Sequence, residues 1–266
     1  MYTASVTCVD FQEVTWQVWP SGSVTNELAV FRIALSDSAT LIPYLRKLLS
    51  PDEIERAARY RRPDDRFRFS GTRGLLRVLL GRYIRQPPDH LDFVVGVSGK
   101  PTLKENVGWH FNVSHSGDWL LIAIGRTPVG VDLERVSPDF PFRDVLSASF
   151  SPDEQRHIDG CPDARLGFYQ LWTRKEALVK ATANGLGDAL DRIPSLTGAH
   201  LADARLPGQK GNWMVGSFTV AEGYPAAVAH NGISLVLPHF YTLDSSLVEL
   251  TPTLLPGRHS SVSGMV

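Results

Sequence analysis

Ser50-Pro51-Asp52-Glu53 and Ser151-Pro152-Asp153-Glu154 are the same four residues in the same order, 101 positions apart. Each has the form of a capping box. Serine is the N-cap, proline fills the first helical position where a missing N–H does no harm, and glutamate reaches back from the third. A short helix therefore starts at each copy. Working outward, Phe67 recurs as Phe168, and Thr72-Arg73 recurs as Thr173-Arg174, all at the same offset. Behind each box lies a longer stretch of helical spacing, roughly 66–85 and 164–183. Leu75, Leu76, Leu79, Leu80 and Tyr83 mark the apolar positions of the first. Several matches at one offset predict a two-fold repeat of an α+β unit.

Between the helices, apolar or alternating runs predict strands at 28–35, 91–97, 109–114, 119–125, 129–136, 213–220 and 224–237. The last is broken by Asn231-Gly232, which reads as a hairpin turn. Short connections favour antiparallel neighbours. The expected fold is thus a pseudo-two-fold repeat of two similar subdomains, each a small antiparallel sheet packed on a long helix. The expected division is 1–126 and 127–240, joined near 126–128, with a loosely ordered C-terminal extension at 241–266 that is rich in Ser, Pro and Gly.

The 266 residues are 43% hydrophobic and 21% charged, which fits a globular protein and excludes collagen-like, disordered and coiled-coil classes. The N-terminus has no basic segment followed by an apolar core, and the apolar run at 119–124 is too short to cross a bilayer. A cytoplasmic protein is expected. Cys8 and Cys161 form neither a CxxC pair nor a Cys/His cluster, so neither a disulfide framework nor a structural zinc site is expected. The net charge of −1 argues at first against a polyanionic partner. That sum hides an uneven distribution, because residues 56–85 hold ten arginines against Asp64 and Asp65. The stretch carries +8 and leaves −9 on the remainder. A nucleic-acid surface, a solvated helix face, or capture of a phosphorylated cofactor together with an acidic protein partner would each account for it.

Duplicated halves keep in both copies what the fold needs, so matched positions that differ in kind point to function. Leu75 and Leu79 of the first long helix correspond to Glu176 and Lys180 of the second. A surface ion pair at this spacing would be ordinary. The matched face in the first copy is apolar, however, and so is expected to face inward. In Val129-Gly-Val-Asp132-Leu-Glu134, period two puts both carboxylates on one strand face, where a divalent cation would relieve their repulsion. Gly130 suggests a close backbone approach. Ser114, His115 and Ser116 end an apolar strand, and short donors there suit a phosphate. Neighbouring Ser114 and His115 point to opposite faces and no GxSxG elbow exists, which argues against a hydrolase triad.

Phe111-Asn-Val-Ser-His-Ser116, Val129-Gly-Val-Asp-Leu-Glu134 and Trp172-Thr-Arg-Lys-Glu-Ala-Leu-Val-Lys180 together resemble the three signatures of the 4'-phosphopantetheinyl transferases, in their single-chain, two-halved form. The resemblance covers roughly 28–237. It implies transfer of the phosphopantetheine arm of coenzyme A to a serine of an acyl or peptidyl carrier protein, with release of adenosine 3',5'-bisphosphate. It also implies Mg2+, with Mn2+ suited to the same oxygen donors, held by Asp132, Glu134 and Glu176. Glu176 is the expected general base and Lys180 the cation on the transferred phosphate. Arg56, Arg73, Lys100, Ser114 and His115 are the expected coenzyme A contacts, while Trp172 and Lys175 support the structure. A nucleic-acid-binding module would explain the arginines but leaves the three carboxylates unused. A Mg2+-dependent phosphohydrolase would use the carboxylates but needs no acceptor protein. With one site between two halves of one chain, a monomer is sufficient.

Overall fold

The computed structural model describes residues 4–20, 26–96, 99–105, 107–183, 190–202, 211–232 and 236–244. Both capping boxes form. Ser50 Oγ accepts from Glu53 N at 3.4 Å and Ser50 N donates to Glu53 Oε2 at 3.0 Å; the Ser151 and Glu154 pair repeats this at 3.4 and 2.8 Å. They open α2 (Pro51–Ala58) and α5 (Pro152–Gly160). These lead into the long helices α3 (Pro63–Ile84) and α6 (Ala164–Thr182); α1 (Ile42–Leu45) and α4 (Leu146–Ser149) are single turns. Each capping glutamate has a second task. Glu53 Oε2 accepts from Arg77 Nε at 2.8 Å in the first half, and Glu154 Oε2 accepts from Lys175 Nζ at 2.9 Å in the second. Each short helix is thereby tied to its long one through a buried ion pair.

The strands are β1 (Ala4–Asp10), β2 (Gln17–Val18), β3 (Leu28–Ala34), β4 (Phe93–Val95), β5 (Pro101–Leu103), β6 (His110–Ser116), β7 (Trp119–Gly125), β8 (Val129–Leu133), β9 (Gly198–Ala202), β10 (Asn212–Ala221), β11 (Tyr224–Asn231) and β12 (His239–Thr242). One sheet has the order β2-β12-β3-β7-β6 and the other β8-β11-β10-β1-β9, while β4 and β5 form a separate hairpin. The repeat is visible in three adjacent strands at one edge of each sheet, where β3-β7-β6 of the first matches β8-β11-β10 of the second.

Period two divides these strands between two cores. Ala29, Phe31 and Ile33 of β3 and Leu120, Ile122 and Ile124 of β7 pack on Leu75, Leu76, Leu79 and Leu80 of α3. The alternate residues Leu28, Val30, Leu121 and Ala123 pack instead against Val129, Val131, Leu133, Phe218 and Val228 of the second sheet. The far face of that sheet receives α6 through Ala177, Leu178 and Ala181. Four layers result: helix, sheet, sheet, helix. Strands covered on both faces read as continuous apolar runs, which is why β7 shows no hydrophilic side.

Across the expected division into 1–126 and 127–240 the halves exchange their end strands. The first strand, β1, lies in the second sheet, parallel to β10 and antiparallel to β9. The last, β12, lies in the first sheet, parallel to β2 and β3. The extension expected from 241 therefore begins inside a strand; Tyr241 and Leu243 are core residues, and 245–266 lie outside the described residues. Asn231-Gly232 is not a hairpin either. Gly232 N donates to Asn212 O at 2.9 Å, and residues 236–244 cross to the other sheet. The run at 91–97 forms only β4, with Val97 outside the described residues. Parallel partners far apart in sequence leave no local pattern, whereas antiparallel neighbours do. No helix among the described residues is long and apolar enough to cross a membrane.

Candidate active site

Helix α6 approaches β8 closely at Gly130. A Cβ there would run into the carbonyl oxygen of Ala177 and the amide nitrogen of Ala181, so only glycine lets the helix lie this near the strand. Because Val129, Val131 and Leu133 face the other sheet, the residue between the latter two, Asp132, faces the helix. Its Oδ1 accepts from Lys180 Nζ at 2.6 Å and from Ser114 Oγ at 2.9 Å, and the same ammonium donates to Ser114 Oγ at 3.0 Å. Glu176, one turn before Lys180, is buried on the same helix, and the burial of Leu75 and Leu79 at the matched positions of α3 accounts for that inward aim.

The edge strands β6 and β8, one from each sheet, meet through side chains. Asn112 Oδ1 accepts from Val131 N at 2.9 Å, Ser114 binds Asp132, and Ser116 Oγ donates to Glu134 Oε2 at 2.9 Å while accepting from Arg135 N at 3.0 Å. Alternate residues of β6 thus hold the acidic strand of the second half.

Burial raises the pKa of all three carboxyl groups. For Asp132 desolvation dominates over the opposing pull of Lys180; for Glu134 desolvation comes first and the Asp132 charge second. Glu176 is pushed from its ordinary 4.5 to about 7, by burial and then by Asp132, with Lys180 pulling the other way. Among the described residues no three His, Cys, Asp or Glu side chains are already closed into a metal-binding group. The donor set nonetheless fits a hard divalent cation, because Asp132 Oδ2 is buried without a partner and the acids repel one another.

The folded chain holds the Glu176 proton more tightly than the unfolded chain does. The resulting stability is fully present below about pH 4.5 and is lost as pH rises through about 7. Metal-free protein is expected to lose up to ~3 kcal/mol over that window. Thermal unfolding of Glu176→Gln should show a flatter pH dependence; an unchanged slope would contradict the raised pKa.

Arg73 and His115 line a cleft of about 300 Å³ together with Tyr60, Arg68, Phe69 and Thr72. Three buried donors there have no partner: Arg68 Nε, Thr72 Oγ1 and Arg73 Nη1. Such orphaned donors suit an anion. Both Arg68 and Lys180 help to lower the His115 pKa, after burial, which links the cleft to the acidic cluster. Arg56 is exposed at the rim, its guanidinium 5.3 Å from the Phe69 ring centroid. Arg68 and Thr72 are not among the cofactor contacts expected from the sequence, yet the cleft residues 65, 68, 69, 72, 73 and 76 form one helical stripe, and that spacing is the available signal.

Two expected cofactor contacts are engaged elsewhere. Lys100 Nζ donates to the carbonyls of Val129 at 2.9 Å and Lys180 at 2.6 Å, bracing the β4-β5 hairpin against the second half, and burial lowers its pKa to about 8. Ser114 is committed to Asp132 and Lys180. The arginine stretch also divides, since Arg77 is buried in an ion pair with Glu53, while Arg61, Arg62 and Arg66 remain exposed. Trp172 stacks on Phe168 at 5.7 Å and Lys175 is buried against Glu154, which are structural placements.

Arg68 is ion-paired with Asp65 at 3.5 Å and Arg73 with Glu53 at 3.4 Å, yet each keeps one buried donor free of hydrogen bonds. An acidic cluster beside a cleft with such donors suits a phosphate-bearing substrate. Comparison with known proteins makes this specific. Residues 128–229 match the 4'-phosphopantetheinyl transferase superfamily, and residues 38–126 match the 4'-phosphopantetheinyl transferase N-terminal family. The 4'-phosphopantetheinyl transferase HetI of a Nostoc species is 34% identical over 61% of this chain and 71% of its own length. The 4'-phosphopantetheinyl transferase psf-1 of Bacillus pumilus is 33% identical over 62% of this chain and 74% of its own. A Synechocystis relative is 38% identical over 58% of this chain and 64% of its own length. The chain belongs to the 4'-phosphopantetheinyl transferase superfamily, and it is a transferase.

Proposed function

We propose that this chain moves the 4'-phosphopantetheine arm of coenzyme A onto a serine hydroxyl of an acyl or peptidyl carrier protein. The observation that carries the reading is the placement of Glu176 and Lys180 on α6 against Asp132 and Glu134 of the β8 segment. It accompanies the family match and the names of the relatives. Asp132, Glu134 and Glu176 would hold Mg2+, or Mn2+ on the same oxygen donors. When bound, the ion neutralises charge on the diphosphate.

The remaining steps belong to the chain's own side chains. Arg73, Arg68, Thr72 and His115 hold phosphate oxygens of coenzyme A in the cleft, with Arg56 at its rim. The Glu176 carboxylate accepts the proton from the carrier's serine. The serine oxygen bonds to the phosphorus that bears the pantetheine arm. The bond from that phosphorus to the bridging oxygen breaks, and its electron pair leaves on adenosine 3',5'-bisphosphate. Lys180 neutralises the oxygens of the phosphorus under attack. Lys100 supports the reaction from outside the cleft, by holding the β4-β5 hairpin to the end of α6. Coenzyme A as substrate and two free cysteines suit a reducing cytoplasm.

The direct test incubates the protein with coenzyme A, Mg2+ and an apo carrier protein, and weighs the carrier. A gain equal to one phosphopantetheine is expected. Unchanged mass across several carriers, together with salt-sensitive binding of nucleic acid, would sink the reading in favour of the arginine surface.

A further inference from the structure

The geometry points to Ser116 as a positioning residue for Glu134, a role that rests on the proposed metal-holding function of Asp132, Glu134 and Glu176. Ser116 Oγ carries one proton and donates it to Glu134 Oε2 at 2.9 Å, while Arg135 N donates to the same hydroxyl at 3.0 Å. The hydroxyl is held from behind by a backbone amide and spends its proton on the carboxylate. Two residues earlier on both strands, Ser114 Oγ donates to Asp132 Oδ1 at 2.9 Å. The two-residue period of β6 therefore meets the two-residue period of the acidic strand.

In each acid, one oxygen is held by a β6 serine and the other is left over. Asp132 Oδ2 is buried with no partner, and Glu134 Oε1 receives no hydrogen bond among the described residues. A carboxylate turns readily about its terminal torsion, which is broad and two-fold. A serine fixed at one oxygen removes that freedom and keeps the second oxygen available to a cation. Partners of this kind behind a metal ligand typically change affinity by about 10–100-fold. Ser116 isolates the effect better than Ser114, because Ser114 also touches Lys180.

The experiment measures Mn2+ binding by EPR on the full chain with coenzyme A and no carrier, for wild type, Ser116→Ala, Ser116→Cys and Ser116→Thr. Alanine, and cysteine as a weak donor of similar size, are expected to weaken Mn2+ binding about 10-fold. Threonine, which keeps the hydroxyl, should return it to within about twofold of wild type. Coenzyme A binding in chelator should be the same for all four. The cysteine variant carries the test if alanine does not fold. Mn2+ binding by Ser116→Ala or Ser116→Cys within about twofold of wild type overturns the role of Ser116 alone. So does a threonine variant no better than alanine. Absence of Mn2+ binding by the wild type overturns the metal reading of the acids, and the role of Ser116 with it.

Discussion

Asp132→Asn is expected to abolish carrier modification while leaving the metal-free protein as stable as before or more so. The carboxamide keeps an acceptor for Ser114 and Lys180, so the contacts of Oδ1 persist in shape. What is lost is the charge on a group that is 3% exposed, whose burial already disfavours ionisation and whose charge raises the pKa of both Glu134 and Glu176. Removing it relieves that repulsion, and the Glu176 pKa should fall. On the proposed reading, the reaction would lose one of the three side chains that hold the divalent ion. A loss of about 10³-fold in kcat/KM, or ~4 kcal/mol of transition-state stabilisation, is the scale expected. Mass spectrometry of the carrier checks the first part and thermal unfolding in chelator checks the second. Activity within about tenfold of wild type would remove Asp132 from the reacting centre. A large fall in Tm would instead mark it as a structural ion-pair partner. Opposite signs for stability and activity are a pattern expected of a strained functional group.

The second large effect is on Gly130→Ala. The new methyl meets backbone atoms of Ala177 and Ala181 rather than a side-chain end, so no rotamer change can relieve it and α6 must move. Overpacking of this kind costs about 3 kcal/mol or more. For a chain of this size that corresponds to a Tm lower by roughly 6–12 °C. Because Glu176 and Lys180 lie on the helix that must shift, activity should fall along with stability, by about 10² for a displacement near 1 Å. Gly160→Ala serves as the control. Gly160 ends α5 with nothing within 4 Å of its absent Cβ, and it should leave both quantities unchanged. If Gly130→Ala unfolded at the wild-type temperature, the close contact between α6 and β8 would not be what holds the site together.

Much of this molecule is legible in its residues. The two serine capping boxes form as their spacing requires, because a cap is satisfied within four residues and depends on nothing distant. The contrast between Leu75 and Leu79 in one copy and Glu176 and Lys180 in the other marks an inward helix face, since duplicated halves bury matched faces alike, and both residues do face the acidic strand. Gly130 announced the close approach of another backbone without saying which element would approach. Local periodicity assigned faces correctly, and Asp132 lies on the helix-facing side of β8.

What only the tertiary structure decided are the partners. The exchange of β1 and β12 between sheets rests on parallel pairings between residues some two hundred positions apart, and strand periodicity is the same whichever sheet a strand joins. Lys180 meets Ser114 across 66 positions and Asp132 across 48, and Ser116 reaches Glu134 across 18. The same holds for Lys100, whose residue type suits a phosphate but whose ammonium is taken by two backbone carbonyls. Sequence determines which groups a face carries. Only the packing of four layers fixes which of those groups lose their water and must find one another, and that loss of water carries Glu176 to a pKa near neutrality.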